Sequence, residues 1–306
     1  MARNHRLDDA RQRRVGTVRF QIVVDVASLV EPPARTGQRG RQRAYGDGLV
    51  EACACLRNMT GLSLRGVEGF VVALLDSAGT GNAGRIDHTT LCRRLRLLDL
   101  RLPRRRLVDP CLVGDGTGLR LVDEGGWKPF VHGREKGKRR EDHQVVIIAD
   151  AETGELVELD SGPFRKGSAK ETARLGRLER HAPKGCTLSW DGAGDDRSAH
   201  DACGRLGLRF IAPPDKNAAT RSSVFPPRPP RTKAVRELQS IGRAAWKRKH
   251  GYPRRSLIES VNHRFKALFG SSLASRNDDA RKVDVLVHAR LYNATLSDEA
   301  RLLIKR

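Results

Sequence analysis

Three carboxylates in this chain stand in settings where carboxylates are chemically unusual. Asp115 interrupts an apolar, glycine-flanked run, and Asp191 ends another apolar run at a Gly-Ala-Gly turn. A buried carboxylate is either paired with another group or bound to a cation. Glu259 completes the set from the segment YPRRSLIESVNHRFK, residues 252–266. Carboxylate oxygens suit hard divalent ions, and two such ions about 4 Å apart can activate the attacking oxygen and stabilise the leaving oxygen of a phosphodiester.

The segment around Glu259 carries further polar residues at fixed positions. Tyr252, Arg255 and Lys266 complete the spacing Y-x2-R-x3-E-x6-K. On a helix, Arg255, Glu259 and Lys266 fall within roughly 40° of one another, beside an apolar stripe. This pattern predicts a helix that packs on a core and holds one carboxylate between two cations. A solvated amphipathic helix with an i,i+4 Arg–Glu pair is the alternative.

Structural roles are also open for the two aspartates. Asp191 alone could cap a turn or a helix, and Asp115 could belong to a hairpin. All three carboxylates having structural roles at once is the less economical interpretation, because they come from two predicted strands and one predicted helix.

The elements that must position these residues are those of a mixed α/β sheet. The sequence predicts strands at 111–122, 143–150, 155–160, 186–191 and 208–212, a hairpin turn at 152–154, helices at 168–181 and 195–206, and a long C-terminal helix capped by 277–279. The Pro-rich, basic residues 213–251 separate the last strand from the Glu259 helix and are predicted to be a partly ordered insertion.

Helical spacing upstream of the sheet predicts a separate helical region. Helices are expected at 47–59, at 63–78 with a capping serine, and at 87–96 with Asp87 as N-cap. In the third of these, leucines alternate with Arg93, Arg94 and Arg96. A short helix with one apolar and one basic face could read DNA as part of a helix-turn-helix. An ordinary core helix with a solvated basic flank is the alternative.

The charge balance predicts a polyanionic partner. Lys and Arg total 58 against 36 Asp and Glu, a formal net charge of +22. The basic residues cluster in runs, which favours nucleic acid as the partner over a merely basic soluble protein.

The cysteine pattern and the apolar runs bear on the compartment. The six cysteines show no paired C-x2-C spacing, so buried, reduced thiols are expected and not a zinc site. The N-terminus lacks the apolar core of a signal peptide, and no run approaches the ~20 apolar residues of a membrane helix. The expected location is the cytoplasm, in association with the nucleoid.

The motifs around the three carboxylates resemble those of a known family. Tyr252, Arg255, Glu259 and Lys266 match at every fixed spacing the Y-x2-R-x3-E-x6-K signature of the DDE transposases of bacterial insertion sequences. The segment that begins at Asp115, DGTGL, resembles the family's D-S-T-G-L, with Gly116 where serine is usual. The segment that begins at Asp191, DGAGD, resembles D-G-A-Y-D, with Gly194 replacing tyrosine. Residues 45–47, 64–70 and 87–94 resemble N-terminal landmarks of insertion sequence family five.

The resemblance implies a fold, a cofactor and roles for the site residues. It implies a ribonuclease-H-like catalytic core in which Asp115, Asp191 and Glu259 hold two Mg²⁺ ions, for which Mn²⁺ can substitute. It further implies that Arg255 and Lys266 hold DNA phosphates and that Tyr252 contacts the DNA backbone. The expected domains are a basic, partly flexible arm at 1–44, a helical DNA-binding region at 45–105 and a DDE catalytic domain at 106–306.

The function that these expectations imply is transposition. The protein would bind the terminal inverted repeats of its own element, cut the DNA strand there and join the freed 3′-OH to target DNA. Its partners would be double-stranded DNA and at least one further copy of itself in the DNA complex. Two alternatives stay open: a metal-dependent nuclease or resolvase of the same fold, and a catalytically inactive DNA-binding derivative.

Overall fold

The structure is a computed structural model that describes residues 5–28, 44–79, 85–102, 111–121, 143–163, 185–215, 217–218 and 229–296. The chain divides into two compact units. The first comprises residues 1–101, 121–138 and 267–306, and the second comprises residues 102–120 and 139–266. No helix within the described ranges is both long enough and apolar enough to cross a membrane.

The first unit is helical. Its elements are α1 (His5–Ser28), α2 (Asp47–Thr60), α3 (Leu64–Ser77), α4 (His88–Leu95), β6 (Ser272–Leu273) and α9 (Asp278–Ala294). The predicted caps are confirmed, since the Ser63 hydroxyl accepts the Gly66 N–H at 3.1 Å and Asp87 Oδ1 accepts the Thr89 N–H at 2.9 Å. Such caps satisfy N–H groups that have no partner inside the helix.

A buried polar network joins α2 to α9 within this unit. Arg57 Nη1 lies 2.8 Å from Ser275 Oγ and 3.3 Å from Asp284 Oδ1. His288 Nε2 lies 2.7 Å from Asn58 Oδ1. Burial raises the pKa of Asp284 and lowers the pKa of His288 to about 3. The Arg57–Asp284 ion pair and a neutral His288 are therefore part of the core that holds α9 on α2.

The second unit is built on a mixed sheet with the strand order β3-β2-β1-β4-β5. The strands are β1 (Cys111–Leu121), β2 (His143–Asp150), β3 (Leu156–Pro163), β4 (Thr187–Ser189) and β5 (Arg209–Ile211). β2 runs antiparallel to β1 and β3, whereas β4 runs parallel to β1 and β5. The prediction of a mixed α/β sheet preceded by a helical region is confirmed.

Local sequence explains the central hairpin. Every residue of β2 is buried, as expected for a β-branched strand at the centre of a sheet. The chain reverses after Asp150, whose Oδ1 accepts the N–H groups of Glu152 and Thr153 at 2.7 and 3.0 Å. Gly154 follows with a φ of 74°, in the left-handed region that favours glycine.

The remaining elements assigned to the second unit are helices and a 3₁₀ turn. They are α5 (Arg197–Leu206), α6 (Pro229–Ile241), α7 (Arg243–Lys249), a 3₁₀ turn (Tyr252–Ser256) and α8 (Leu257–Phe269). Most of the described residues in the basic stretch 213–251 are thus helical. The described part of this stretch is more ordered than the partly ordered insertion that the sequence predicted. The helix predicted at 168–181 lies outside the described residues.

Two groupings differ from the domain boundaries expected from the sequence. Residues 5–28, assigned to a basic arm, form α1, and its Val18, Ile22 and Val26 are buried in the core of the helical unit. The C-terminal helix α9, assigned to the catalytic domain, shares that same core through Val283, Val287 and Leu291. The many arginines of α1 made its apolar stripe hard to recognise in the sequence. For α9, no local sequence feature indicates which element it packs on.

The cysteine side chains are mostly buried, as predicted. The buried thiols are those of Cys53, Cys55, Cys186 and Cys203. Burial raises the pKa of Cys53 and of Cys203 to about 12, which keeps these groups protonated and unreactive at neutral pH.

Candidate active site

Asp115 lies in the middle of β1, opposite Ile147 of β2. Its side chain is 20% exposed, so it reaches the surface of a strand in which half of the other residues are buried. Asn262 Nδ2 donates to Asp115 Oδ2 at 3.0 Å. The Arg255 guanidinium lies 3.6 Å from Asp115 Oδ1. Both oxygens of this carboxylate therefore face donors from the Glu259 segment.

Glu259 is placed by the helix that the sequence predicts. Ile258, Val261 and Phe265 of α8 are fully buried, which leaves Glu259 on the outward side of the helix with its side chain 68% exposed. Arg255 Nη1 donates to Glu259 Oε1 at 3.1 Å. One guanidinium thus bridges Asp115 and Glu259, and the two carboxylates converge on it.

Asp191 follows the end of β4, the strand that pairs in parallel with β1. β1 and β4 pair with Val113 opposite Ser189, so each aspartate comes two residues beyond a matched pair. Asp191 Oδ1 accepts the Gly194 N–H at 3.2 Å, which makes it the cap of the 3₁₀ turn Gly192–Gly194. The predicted capping role and the predicted site position are compatible, because the second oxygen is not used by the cap.

Tyr252 lies within electrostatic reach of both aspartates. Burial raises the pKa of its phenol, and the charges of Asp191 and Asp115 raise that pKa further while Arg255 and Arg243 oppose them. Lys247 Nζ lies 5.0 Å from the centre of the Tyr252 ring, a cation–π contact. The phenol is therefore part of the group around the three carboxylates.

Lys266 lies in the last turn of α8, two turns beyond Glu259, and its side chain is partly exposed. The predicted helical face that carries Glu259 and Lys266 is therefore present. Arg255 differs slightly from the prediction, because it belongs to the 3₁₀ turn before α8 and not to the helix itself.

Trp190 fixes the spacing around both aspartates. The indole is 1% exposed and packs against Gly114 and Gly194. A Cβ at either glycine would come closer than 3.0 Å to the indole. A side chain at position 194, such as the tyrosine of the motif that this segment resembles, would need space that Trp190 occupies.

Several residues of this site were missed at the sequence level. Asn262 follows Glu259 by three residues, and that helical interval was the only local signal for it. Trp190 was assigned only to a strand, although a tryptophan between two glycine-bearing motifs is a packing signal. Asp195 and Arg231 form an ion pair of 2.7 Å that joins the Asp191 turn to α6, and no local pattern reveals it.

The three arginines predicted on α4 have different surroundings. Arg94 Nη2 donates to Asp47 Oδ1 at 2.6 Å and its Nη1 donates to the Tyr45 carbonyl at 3.1 Å, and the side chain is 13% exposed. Arg94 therefore takes part in the packing of α4 against the start of α2, and its role in DNA binding stays a prediction. Arg93 and Arg96 are exposed; Arg93 contacts the Thr89 carbonyl, Arg96 contacts Cys92 Sγ, and both arginines stay DNA-binding predictions.

The donor set fits a hard divalent cation in kind, since all three candidate ligands are carboxylates. In the geometry described here, the Arg255 guanidinium stands between Asp115 and Glu259 and balances their charge. Among the residues that the structure describes, no three His, Cys, Asp or Glu side chains are gathered closely enough to hold a metal ion. A metal-loaded site would require Arg255 to move away from the carboxylates.

Comparison with known families agrees with the site. The family described as Transposase DDE domain matches residues 106–294, and a second family with the same description matches residues 13–124. The larger match covers more than half of the chain and includes Asp115, Asp191 and Glu259. The chain belongs to the DDE transposases. Its narrower resemblance to insertion sequence family five stays a prediction.

Among solved structures, the chain is similar to one described as "Cryo-EM structure of piggyBac transposase synaptic complex with hairpin DNA". The alignment covers 92% of this chain and 73% of that chain, with 8% sequence identity and a TM-score of 0.38.

Proposed function

We propose that this protein is the transposase of an insertion sequence, which binds the terminal inverted repeats of its element and catalyses DNA strand cleavage and strand transfer. The observation that carries the proposal is the convergence of Asp115 and Glu259 on Arg255, with Asp191 just beyond the end of the strand adjacent to β1. Family membership supports the reaction class, and the net charge of +22 supports DNA as the partner.

The proposed reaction is in-line phosphoryl transfer in two steps. Water first attacks the phosphodiester at the element end and frees a 3′-OH; this hydroxyl then attacks a phosphodiester of the target DNA. The second step exchanges one phosphodiester for another, so no nucleotide is consumed. The chain correspondingly contains no G-x4-G-K-[S/T] loop.

In this proposal each site residue has a defined task. Asp115, Asp191 and Glu259 would hold two Mg²⁺ ions, with Mn²⁺ as a substitute. Divalent cations, when bound, would supply Lewis-acid stabilisation of the charge that develops on the phosphate. The guanidinium of Arg255 and the ammonium of Lys266 would bind non-bridging phosphate oxygens, where charge-assisted contacts are strong.

Tyr252 would contact the DNA backbone beside the cut, and its hydroxyl would stay protonated because its pKa is raised. Arg93 and Arg96 of α4 would contact the inverted repeat. Two element ends must be held together for joining, so at least a dimer is proposed in the DNA complex, associated with the nucleoid.

The joining step distinguishes this proposal from a nuclease or resolvase of the same fold. The test supplies the protein with DNA that carries a pre-cut element end with a free 3′-OH, together with a supercoiled plasmid and Mg²⁺. A transposase yields covalent end–plasmid products, and EDTA abolishes them. Cleavage of uncut ends without any joined product would favour the nuclease. Binding of the ends without cleavage or joining under Mg²⁺ or Mn²⁺ would favour the inactive derivative.

A further inference from the structure

The carboxylate of Asp195 is the most enclosed acidic group near the candidate site. Its side chain is 1% exposed. Arg231 of α6 makes a bidentate contact with this carboxylate: Nε donates to Oδ1 at 3.0 Å and Nη2 donates to Oδ2 at 2.7 Å. His200 Nε2 of α5 lies 3.3 Å from Oδ1, and the Asp215 N–H donates to Oδ2 at 3.4 Å. Three separate parts of the chain therefore meet on this one side chain.

These contacts keep Asp195 ionised. Burial alone would raise the pKa of Asp195, but the contacts from His200 and Arg231 outweigh burial and hold that pKa below its usual range. Two-pronged arginine–carboxylate pairs fix geometry as well as charge, because both partners are planar.

Asp195 is bonded directly to the turn that carries Asp191. The Asp195 N–H donates to the Gly192 carbonyl at 3.2 Å, and the Gly194 N–H donates both to the backbone and to the side chain of Asp191. Trp190 closes the other side of the turn against Gly194. The direction of the Asp191 carboxylate is thus set by a turn held on one side by an indole and on the other by Asp195.

Arg231 extends this connection to the Tyr252–Glu259 segment. α6 packs on α7 through Glu237, which contacts His250 Nε2 at 2.7 Å and Lys249 Nζ at 2.6 Å. Arg243, the first residue of α7, donates to the Pro214 carbonyl at 2.5 Å. The chain then passes directly into Tyr252 and Arg255. The described helices of the 213–251 stretch therefore connect the turn that carries Asp191 to the segment that carries Glu259.

We propose that Asp195 and Arg231 are positioning residues for Asp191, because their ion pair fixes the turn that directs the Asp191 carboxylate. This inference rests on the proposed function, since it assigns the pair to the same reaction. It gives a role to the last aspartate of the Asp191–Asp195 motif and to the basic stretch that follows the sheet. Neither residue contacts the reacting phosphate in this proposal.

The first experiment measures end cleavage by the full chain carrying Asp195→Asn, Arg231→Gln, Arg231→Lys or both Asp195→Asn and Arg231→Gln. Residues that orient catalytic carboxylates typically contribute 10–100-fold, so each of the neutral single variants is expected to lower kcat by about that factor with little change in KM for DNA. Arg231→Lys keeps the charge and is expected to recover part of the loss. The double variant is expected to be no slower than the slower single variant, because both changes remove one interaction.

Glu237→Gln is the matched control. It removes an ion-pair acceptor from the same helix, at the contact with α7 and away from the Asp191 turn. If a general loss of stability caused the lower kcat of the Asp195 and Arg231 variants, Glu237→Gln would lower kcat as much as they do when equal amounts of folded protein are compared. The inference predicts that Glu237→Gln lowers the melting temperature but leaves kcat within about 3-fold of the wild type, below the range for orienting residues.

Hydrogen–deuterium exchange supplies a readout that does not depend on activity. In Asp195→Asn, the amides of residues 192–195 are expected to exchange faster, while the amides of β2 stay protected. Unchanged exchange in this turn, or wild-type kcat in Asp195→Asn, would overturn the inference. Failure of the wild type to cut or join DNA, with faster exchange in the variant, would instead contradict the proposed function.

Discussion

The guanidinium of Arg255 lies 3.6 Å from the carboxylate of Asp115. The same guanidinium donates a hydrogen bond to the carboxylate of Glu259 at 3.1 Å. Asp115 is thus charge-balanced by a side chain from the same segment that supplies Glu259. The arrangement has a chemical consequence. A cation cannot take up both carboxylates while the guanidinium lies between them, so phosphate binding by Arg255 and metal binding by Asp115 and Glu259 would favour each other.

Arg255→Gln is therefore expected to change metal binding and cleavage in opposite directions. Without DNA, the affinity of the full chain for Mn²⁺ should rise by about 10-fold, because a charge-assisted contact that competes for the carboxylates contributes roughly 1.5 kcal/mol. End cleavage should fall, because the phosphate contact is lost. Mn²⁺ titration followed by electron paramagnetic resonance measures the first effect.

Arg254→Gln is the control for net charge, since Arg254 is an exposed neighbour in the same 3₁₀ turn. It should leave Mn²⁺ affinity nearly unchanged. Weaker Mn²⁺ binding by Arg255→Gln than by the wild type would show that Arg255 supports the metal site instead of competing for it.

Gly194→Ala tests the packing of Trp190 beside Asp191. Overpacking a filled core typically costs about 1–3 kcal/mol, and the new methyl group would press directly on the indole. The free energy of unfolding, measured by chemical denaturation, should fall by that amount. Gly204→Ala in α5, where no atom lies within 4 Å of the new Cβ, should be neutral or stabilising. Equal stability of the two variants would contradict the account of the missing tyrosine.

The arginines of α4 are expected to separate into two classes. Arg94→Ala should lower the free energy of unfolding by about 0.5–1.5 kcal/mol, because the Tyr45 carbonyl and the exposed Asp47 carboxylate lose their donor. Arg93→Ala should leave stability unchanged and weaken DNA binding, with the slope of log affinity against log salt reduced by about 1. Fluorescence anisotropy on an inverted-repeat duplex at several salt concentrations measures the slope. Weaker DNA binding by Arg94→Ala with unchanged stability, and lower stability of Arg93→Ala, would instead favour Arg94 as the DNA contact.

The buried His288 predicts a pH dependence of stability. Its pKa is about 3 in the folded chain, against an ordinary value of 6.5. Between these values the unfolded chain binds a proton that the folded chain does not, so this contribution to stability is lost as pH falls from 6.5 toward 3. The loss is expected to approach about 1.4 kcal/mol per pH unit.

His288→Gln removes the titrating group, so the difference in unfolding free energy between wild type and variant isolates its effect from that of the carboxylates. The measurement is chemical denaturation at several pH values between about 4 and 7, because an unperturbed histidine gains its proton within this range. A difference that does not change with pH would show that His288 is protonated within the fold.

The sequence predicted features that depend on neighbours along the chain. The caps at Ser63 and Asp87, the hairpin after Asp150 and the helix carrying Glu259 all follow from residues within one or two turns of each other. Asp115 and Asp191 were recognisable because they stand in or at the end of apolar, glycine-flanked runs, and Glu259 was recognisable from its spacing to Tyr252, Arg255 and Lys266.

Features that depend on distant partners were not predictable in this way. Asp195 and Arg231 are 36 residues apart, and Arg57 and Asp284 are 227 residues apart. Each residue alone resembles a solvated surface charge, and only the tertiary fold removes both from water. The exclusion of a side chain at Gly194 likewise depends on where the indole of Trp190 lies in space.

The most direct test of the central claim is cleavage of DNA that carries the borders of the element, compared across Asp115→Asn, Asp191→Asn and Glu259→Gln. Glu152→Gln, an exposed carboxylate in the β2–β3 turn, is the control for charge. If the three residues form one catalytic centre, each variant binds the DNA as the wild type does but makes no Mg²⁺-dependent cut, while Glu152→Gln cuts normally. Mg²⁺-dependent cleavage that survives in any of the three variants would contradict the assignment of that residue.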